Sequence, residues 1–186
     1  MGDTGTLITI TSKSTIENSI ATSFAPIVND NTHTLILGSM PGKASLDAQQ
    51  YYAHSRNAFW PILCKLLDIP VTTDYIQRLR HLQNSGIGLW DVLAQCERPG
   101  SLDSDIKSDS IITNNFVELF ASYPQIRRLL FNGTTAEHYF RRHILPQLTS
   151  ITLPKIQKLP STSPAHASLS FEQKLAIWKA ALNISI

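Results

Sequence analysis

Cysteine is scarce in this chain, and long apolar runs are missing from it. The two cysteines, Cys64 and Cys96, are too few for a disulfide framework, and neither lies in a metal-binding spacing with histidine or with the other. We therefore expect reduced thiols in a cytoplasmic protein, with no metal ion and no other cofactor. The N-terminal region has no apolar run long enough for a signal peptide or a membrane span, so we expect no membrane association.

A strong net charge is also missing. Sixteen Lys and Arg residues against fourteen Asp and Glu give a formal charge of +2, which neither requires nor excludes a nucleic-acid partner. The basic runs Arg127-Arg128 and Arg141-Arg142-His143 indicate either a solvated surface or a local anion-binding patch. Hydrophobic residues make up 42% of the 186 residues, which is enough for one sizeable core. We expect one domain in a monomeric protein.

What the chain does contain is an alternation of two hydrophobic patterns. Four short apolar segments, each followed by a polar or Gly/Pro switch, predict strands at Thr34–Leu37, Ile87–Trp90, Leu129–Phe131 and Ile156–Leu159. Apolar residues at helical spacing predict helices around Phe59–Leu67, Phe116–Phe120, Ala136–Phe140 and Leu169–Leu182. Strands that alternate with helices predict a three-layer α/β/α sandwich around a central, mainly parallel four-stranded sheet. The switch loops would then share the rim at which such sheets bind ligands.

The N-terminal segment, residues 1–18, does not share this pattern. It is rich in Ser and Thr with scattered Ile and has no clear period. We expect a loosely ordered arm or an edge strand there, and a single domain over residues 19–186.

Two polar segments border predicted elements at this rim. One follows the first predicted strand, and the other precedes the first predicted helix. The loop Gly38–Gly42 can bring backbone N–H groups close to a ligand, and Ser39 adds a hydroxyl, although a tight turn without chemistry explains it equally well. The segment Tyr51–Trp60 is more specific, because aromatic, imidazole, guanidinium and amide groups crowd together just before a helix. A helix cap at Asn57 or Ser55 is the structural alternative.

A third segment, Leu159–His166, places three hydroxyls between two prolines. The prolines limit the ordering cost, so the three hydroxyls and the backbone donors can meet a phosphate. An ordinary loop before a helix cap at Ser168 or Ser170 is the alternative. Asp91 follows the second strand on the same rim, where we expect a helix N-cap rather than an acid.

In this order, the segments Gly38–Gly42, Tyr52–Trp60 and Leu159–Pro164 resemble the uracil-DNA glycosylase superfamily. Within it, the chain looks most similar to the hypoxanthine-DNA (deoxyinosine) glycosylase branch, and the resemblance extends from about Ser23 to the C-terminus. Such enzymes rotate a damaged nucleotide out of the duplex and hydrolyse the bond between base and sugar. The resemblance implies a monofunctional DNA glycosylase of base excision repair that acts on DNA containing a deaminated base. Hypoxanthine is the first expectation, and a uracil- or mismatch-specific enzyme is the alternative.

The resemblance also implies roles for individual residues. Asn57 would act in catalysis, Asn132 would read or polarise the base, and Tyr52 would stack on the flipped base. The implied base-binding set contains Gly38, Ser39, Met40, Pro41, Tyr52 and His54. The implied DNA-binding set contains Ser161, Thr162, Ser163, Pro164, Ala165 and His166. Ala165–Ala167 occupies the place from which relatives push residues into the emptied stack.

The chain departs from the family pattern at three positions. Met40 stands where much of the superfamily has an Asp or Asn that activates water, and Leu159 stands where efficient uracil-removing relatives carry a His. Both departures argue against robust uracil excision and toward a base such as hypoxanthine. Either Asn57 acts in place of the missing residue, or the leaving group keeps the barrier low. Ser55 also replaces a proline expected after His54.

Two other function classes stay open at this point. A damaged-DNA-binding module could keep the fold and lose catalysis, with Met40 as the sign of that loss. An α/β hydrolase of free nucleotides could use the Ser161–Ser163 loop for a small phosphate. No lysine occupies a nucleophile position in the three segments, so we expect no strand cleavage through a Schiff base.

Overall fold

The computed structural model describes residues 20–149 and 152–182. Within these ranges the strands, numbered in chain order, are β1 (Ile20–Thr22), β2 (Thr34–Gly38), β3 (Ile87–Asp91), β4 (Leu93–Glu97), β5 (Ile112–Thr113), β6 (Arg128–Asn132) and β7 (Lys155–Leu159). The α-helices are α1 (Lys43–Ala48), α2 (Phe59–Leu66), α3 (Tyr75–Asn84), α4 (Phe116–Ser122), α5 (Thr134–Tyr139) and α6 (Phe171–Leu182). The N-terminal arm expected at residues 1–18 lies outside the described residues.

Four parallel strands form the central sheet, in the order β3-β2-β6-β7. All five residues of β2 are buried, as expected for an uninterrupted apolar strand that is covered on both faces. The register pairs Gly38 with Asp91 between β2 and β3, and Asn132 with Leu159 between β6 and β7. The predicted four-stranded parallel sheet is confirmed, and its carboxyl ends meet at one edge.

Helices cover both faces of this sheet. Leu35 and Leu37 pack into one hydrophobic cluster with Phe116 of α4, whereas Ile36 packs into a second cluster with Trp178 of α6. Successive side chains of a strand point to opposite faces, so the second cluster lies across the sheet from the first. The predicted three-layer sandwich is confirmed, and α2, α4, α5 and α6 match the four predicted helices.

The sequence did not predict a second, antiparallel sheet, in which β4 lies between β1 and β5. Its strands have two to five residues and no clear alternation. The Val92 N–H donates to the Gly38 carbonyl and the Leu93 N–H to the Ser39 carbonyl, at 2.9 and 3.1 Å, so the chain passes straight from β3 into β4. The expected helix N-cap at Asp91 is therefore wrong, because a strand follows it. Helices α1 and α3 were not predicted either.

Several features bear on the expected compartment and cofactors. Cys64 and Cys96 are both buried free thiols, as predicted. None of the described helices is long and apolar enough to cross a membrane. Over the same residues, no group of three or more His, Cys, Asp and Glu side chains is arranged to hold a metal ion. The cytoplasmic location and the monomeric state stay predictions.

Trp178 joins α6 to the rest of the domain. Its side chain is fully buried, and its ring meets that of Phe59 edge to face with the centroids 5.8 Å apart. Its Nε1 donates a hydrogen bond of 3.1 Å to the carbonyl of Pro160, just beyond the end of β7. One side chain therefore connects α6, α2 and the segment that leaves β7.

We expect Trp178→Ala to lower the free energy of unfolding by about 3–5 kcal/mol, because it empties a large buried site and leaves the Pro160 carbonyl without its donor. Ile177→Ala is the control on the same helix, since that side chain is 39% exposed. It should change stability by no more than about 0.5 kcal/mol. Urea unfolding followed by circular dichroism measures both. Equal losses in the two variants would contradict the role assigned to Trp178.

Candidate active site

A cavity of about 690 Å³ opens at the carboxyl edge of the parallel sheet. Its floor contains the last residues of β2, β3 and β6, which are Gly38, Asp91 and Asn132. All residues of the implied catalytic, base-binding and DNA-binding sets line it: Gly38, Ser39, Met40, Pro41, Tyr52, His54, Asn57, Asn132, Ser161, Thr162, Ser163, Pro164, Ala165 and His166. The three segments that lie far apart in the sequence therefore form one site.

Hydrogen bonds to the side chains of Arg98 and Asp103 hold the loop that follows β2. The buried guanidinium of Arg98 donates to the Pro41 carbonyl. The Ser39 hydroxyl donates to Asp103 Oδ1 at 2.6 Å. Met40 is 6% exposed and belongs to a hydrophobic cluster, so its side chain packs in the core beside the cavity. A thioether is only a weak acceptor and cannot take a proton from water.

Tyr52 forms the aromatic wall. Its backbone is left-handed, with φ of +58°, and its ring stacks on Phe59 with the centroids 3.8 Å apart and the planes 18° apart. One ring face is thereby occupied within the domain. Burial raises the pKa of the Tyr52 hydroxyl above its ordinary value, and the nearby Asp91 raises it further. The Asn132 amide lies close enough to this buried hydroxyl to oppose the rise in its pKa, but the two groups are not aligned as a regular hydrogen bond.

Asn57 lies two residues before the first residue of α2, and the oxygen of its side-chain amide already has a hydrogen-bond partner. Its Oδ1 accepts a hydrogen bond of 3.0 Å from the Phe59 N–H in a local turn, whereas the N-cap of α2 is Ala58, so the N-cap considered at Asn57 or Ser55 lies one residue or more too early. No described residue pairs with its Nδ2. His54 is exposed, and its Nδ1 accepts from the Arg56 N–H at 3.1 Å, so this imidazole shapes the turn that precedes Asn57.

Asn132 and Thr162 hold each other. Asn132 Nδ2 donates to Thr162 Oγ1 at 2.8 Å, and the Thr162 N–H donates to Asn132 Oδ1 at 2.9 Å. The Thr162 carbonyl accepts from the Ala58 N–H at 3.0 Å. Thr162 is 1% exposed, so the expectation that all three hydroxyls of this loop can meet a phosphate is wrong for Thr162.

The remaining part of this loop turns outward. The Ser161 hydroxyl accepts from the Ser163 N–H, and the Ser163 hydroxyl accepts from the Ala165 N–H, each at 3.2 Å. These contacts are local turns of the kind that Ser side chains form. The ammonium of Lys174 donates to the His166 carbonyl at 2.7 Å and thereby ties the loop to α6.

Two carboxyl groups line the described part of the cavity, Asp91 and Asp103. Asp91 is 3% exposed, and its Oδ2 accepts from the Ser23 hydroxyl at 3.0 Å. Burial raises the pKa of Asp91 to about 7; the Ser23 hydrogen bond opposes this shift, Asp103 adds to it and Arg98 opposes it. The sequence placed Asp91 on this rim with the wrong role, and it missed Asp103 and Arg98.

Asp103 lies in a polar 3-10 turn, Asp103–Asp105, and Arg98 comes directly after β4. No periodicity or motif marks either position, because their approach to the cavity depends on the antiparallel sheet that the sequence did not predict. The polar, glycine-containing run Pro99–Asp105 was the available sign of a loop near the rim.

Comparison of the sequence with models of known protein families identifies the family of this chain. The model of the uracil DNA glycosylase superfamily matches residues 25–182. The chain belongs to this superfamily. It is a DNA glycosylase, which confirms the enzyme class and the resemblance expected from the sequence.

Individual relatives agree with the family match. A hypoxanthine DNA glycosylase of Methanosarcina barkeri is 38% identical over 117 residues, which cover 62% of this chain and 73% of that protein. The protein of the same name from Methanosarcina acetivorans is 37% identical with the same coverage. The solution NMR structure of a candidate uracil DNA glycosylase from Methanosarcina acetivorans superposes with a TM-score of 0.72 at 32% identity. It covers 88% of this chain and 96% of that one.

We expect Thr162→Val to lower the free energy of unfolding by about 1–3 kcal/mol. Valine keeps the shape of the side chain but removes the acceptor for Asn132 Nδ2, which leaves a donor without its partner. Thr134→Val is the matched control, because Thr134 is exposed at the start of α5. Thermal or urea unfolding measures the difference. Similar stabilities for the two variants would show that the Asn132–Thr162 pair contributes nothing.

Proposed function

We propose that this DNA glycosylase flips a deaminated nucleotide into the cavity and excises its base by hydrolysis, with hypoxanthine as the preferred base. The observation that carries the proposal is the arrangement of Tyr52 and Asn57 in one cavity. An aromatic ring that is backed by Phe59 lines the same cavity as an amide whose Nδ2 has no partner among the described residues. The curated relatives named for hypoxanthine support the choice of base.

Tyr52 provides the platform for the flipped base. Phe59 fixes one face of its ring, so the ring does not have to be ordered when the base arrives. Stacking of a base on an aromatic ring contributes about 1–3 kcal/mol. That gain is of the same order as the few kcal/mol needed to unstack a nucleotide, a cost that is smallest where the base is already mispaired.

Asn57 stabilises the charge that develops on the departing base. In the oxocarbenium-like transition state the bond between sugar and base lengthens, and the electron pair moves onto the base. An amide N–H that is already oriented stabilises this charge without reorganisation during the reaction. The hydrogen bond between Oδ1 and the Phe59 N–H holds the amide plane, so Nδ2 is the group left to donate.

Asn132 reads the base from the floor of the cavity. Its amide is oriented by the two hydrogen bonds to Thr162, and a group held in this way discriminates between bases by the donors and acceptors they present. Met40 and Leu159 offer no acid or imidazole to assist a poor leaving group. The site therefore favours hypoxanthine over uracil.

The outward part of the third segment holds the DNA backbone. Ser161 and Ser163 present hydroxyls, and the chain through Pro164, Ala165 and His166 carries backbone groups at the cavity mouth. Thr162 contributes by anchoring this loop rather than by contacting a phosphate. Contacts of this kind position the duplex without reading its sequence.

The reaction is expected to stop at an abasic site. Lys43 is the lysine at the described rim, its side chain is 76% exposed, and its Nζ lies 3.5 Å from Asp47 Oδ2. A side chain that extends into solvent and pairs with a carboxylate is not held against the sugar carbon, so it is poorly placed to act as a Schiff-base nucleophile. We therefore expect a monofunctional enzyme.

The substrate preference is tested with otherwise identical duplexes that contain deoxyinosine, deoxyuridine or deoxyxanthosine. We expect breaks only after alkali, in the greatest yield with deoxyinosine, because hydrolysis leaves an intact strand with an alkali-labile site. No break with any duplex would sink the proposal. Retained affinity without product would instead identify a binding module. Turnover of deoxyinosine monophosphate without duplex DNA would favour a hydrolase of free nucleotides.

The role of Asn57 is tested with two variants that separate the structural hydrogen bond of its Oδ1 from the proposed catalytic role of its Nδ2. Asn57→Ala and Asn57→Ser both remove the amide donor and should slow single-turnover excision of hypoxanthine by about 100-fold or more. Serine keeps an acceptor for the Phe59 N–H, so only the alanine variant should lose about 1 kcal/mol of stability. Affinity for deoxyinosine-containing DNA should change little. Wild-type excision rates in the serine variant would overturn the proposed role.

A further inference from the structure

Asp91 is a buried carboxyl group that the roles assigned above do not use. It ends β3 at the edge of the cavity and is 3% exposed. Its Oδ2 is held by the Ser23 hydroxyl at 3.0 Å, whereas no described residue forms a hydrogen bond with its Oδ1. Burying a carboxyl group costs free energy unless it is paired, so a half-paired one in a cavity calls for a function.

The unpaired oxygen lies close to the backbone of the neighbouring strand. Asp91 is the register partner of Gly38, and a Cβ built on Gly38 would lie only 2.5 Å from Asp91 Oδ1. Any side chain at this position would press on the carboxyl group, so glycine allows the close approach of Asp91 to the end of β2. Asp91 and Gly38 both line the cavity, so the carboxyl group borders the space in which the substrate and the attacking water would lie.

We propose that Asp91 is the general base of base excision, with its Oδ1 taking a proton from the attacking water at the end of β3. This inference rests on the proposed function of the same cavity.

The proposed step balances without a further reactant. The carboxylate of Asp91 accepts one proton from water as the oxygen of that water bonds to the sugar carbon. The bond between sugar and base breaks, and its electron pair leaves with the base. The base then takes a proton from the carboxylic acid, or from solvent to which the carboxylic acid gives up its own proton, and either route returns Asp91 to the carboxylate. The sum is hydrolysis of one glycosidic bond.

The charged and titratable groups around Asp91 suit this task. Tyr51 and Tyr52 face it from the segment after α1, Asp103 from its 3-10 turn, and Arg98 from the segment after β4. Burial is the largest influence and raises the pKa of Asp91 to about 7. A base whose pKa lies near the working pH combines a large ionised fraction with a strong affinity for the proton. Asp103 is less suited, since its Oδ1 is occupied by the Ser39 hydroxyl.

The test compares Asp91→Asn with the wild-type protein in single-turnover excision from a deoxyinosine duplex between pH 5.5 and 8.5. The wild-type rate should rise with pH through about 7 and then level, because the base must be ionised. The asparagine variant should be slower by about 100-fold or more and should lose this rise. Its affinity for the duplex should stay within about twofold, because the change leaves Tyr52 in place.

The asparagine variant is expected to fold, because its amide oxygen can still accept from Ser23 and a buried charge is removed. Circular dichroism checks this. Asp109→Asn is the matched control, since it removes one carboxylate from an exposed 3-10 turn outside the cavity, and it should keep the wild-type rate and pH profile. In addition, Gly38→Ala places a methyl group 2.5 Å from Asp91 Oδ1, which displaces the carboxyl group, and should slow excision more than about tenfold with the carboxylate present.

The outcomes separate the two proposals. An active wild-type protein with an Asp91→Asn rate within fivefold of it, or with a slow variant that keeps the wild-type pH profile, would overturn the role of Asp91 alone. A Gly38→Ala protein with the wild-type rate would show that the position of the carboxyl group is unimportant and would contradict its role. A wild-type protein that releases no base from any duplex would overturn both this inference and the proposed function.

Discussion

The parallel register of β2, β3 and β6 is the constraint on which the cavity depends. Gly38 lies beside Asp91 because their strands pair in that register, and Asn132 ends the strand on the other side of β2. A slip of one residue would send every side chain of a strand to the opposite face. The apolar side chains of β2 pack into a different cluster on each face, so such a slip would disturb both clusters and would also move the polar groups beyond the strand ends.

Thr162 fixes the segment that leaves β7 to the end of the neighbouring strand β6. Its three polar groups are all used inside the domain, by Asn132 through two hydrogen bonds and by the Ala58 N–H through a third. Trp178 holds Pro160 on one side of it, and Lys174 holds the His166 carbonyl on the other. A loop fixed at three points presents its outward groups without a large ordering cost on binding. Its stiffness thus comes from buried contacts as well as from its prolines.

Periodicity alone was sufficient for the four parallel strands and for α2, α4, α5 and α6, because each buries an apolar face of regular spacing. It was insufficient for β1, β4 and β5, which are short and become stable only through pairing with one another. Asp91 was misjudged for a related reason. Cap preferences are local, whereas the role of this residue depends on the strand beside it. Thr162 belongs to a recognised segment, yet nothing in the sequence distinguishes an inward hydroxyl from the outward ones of Ser161 and Ser163.

The position of Asp91 also bears on the loss of an acid at Met40. The side chain of Met40 is packed in the core, so the first loop itself supplies no group that can accept a proton. Because Gly38 pairs with Asp91, the neighbouring strand presents a carboxyl group to the same part of the cavity. Charge separates as the glycosidic bond breaks, with the positive part on the sugar and the negative part on the base. In the mechanism that we propose, a carboxylate at the strand edge and an amide donor just before α2 act on opposite parts of that charge. An acid in the first loop is therefore not the only way for this fold to bring a base to the attacking water.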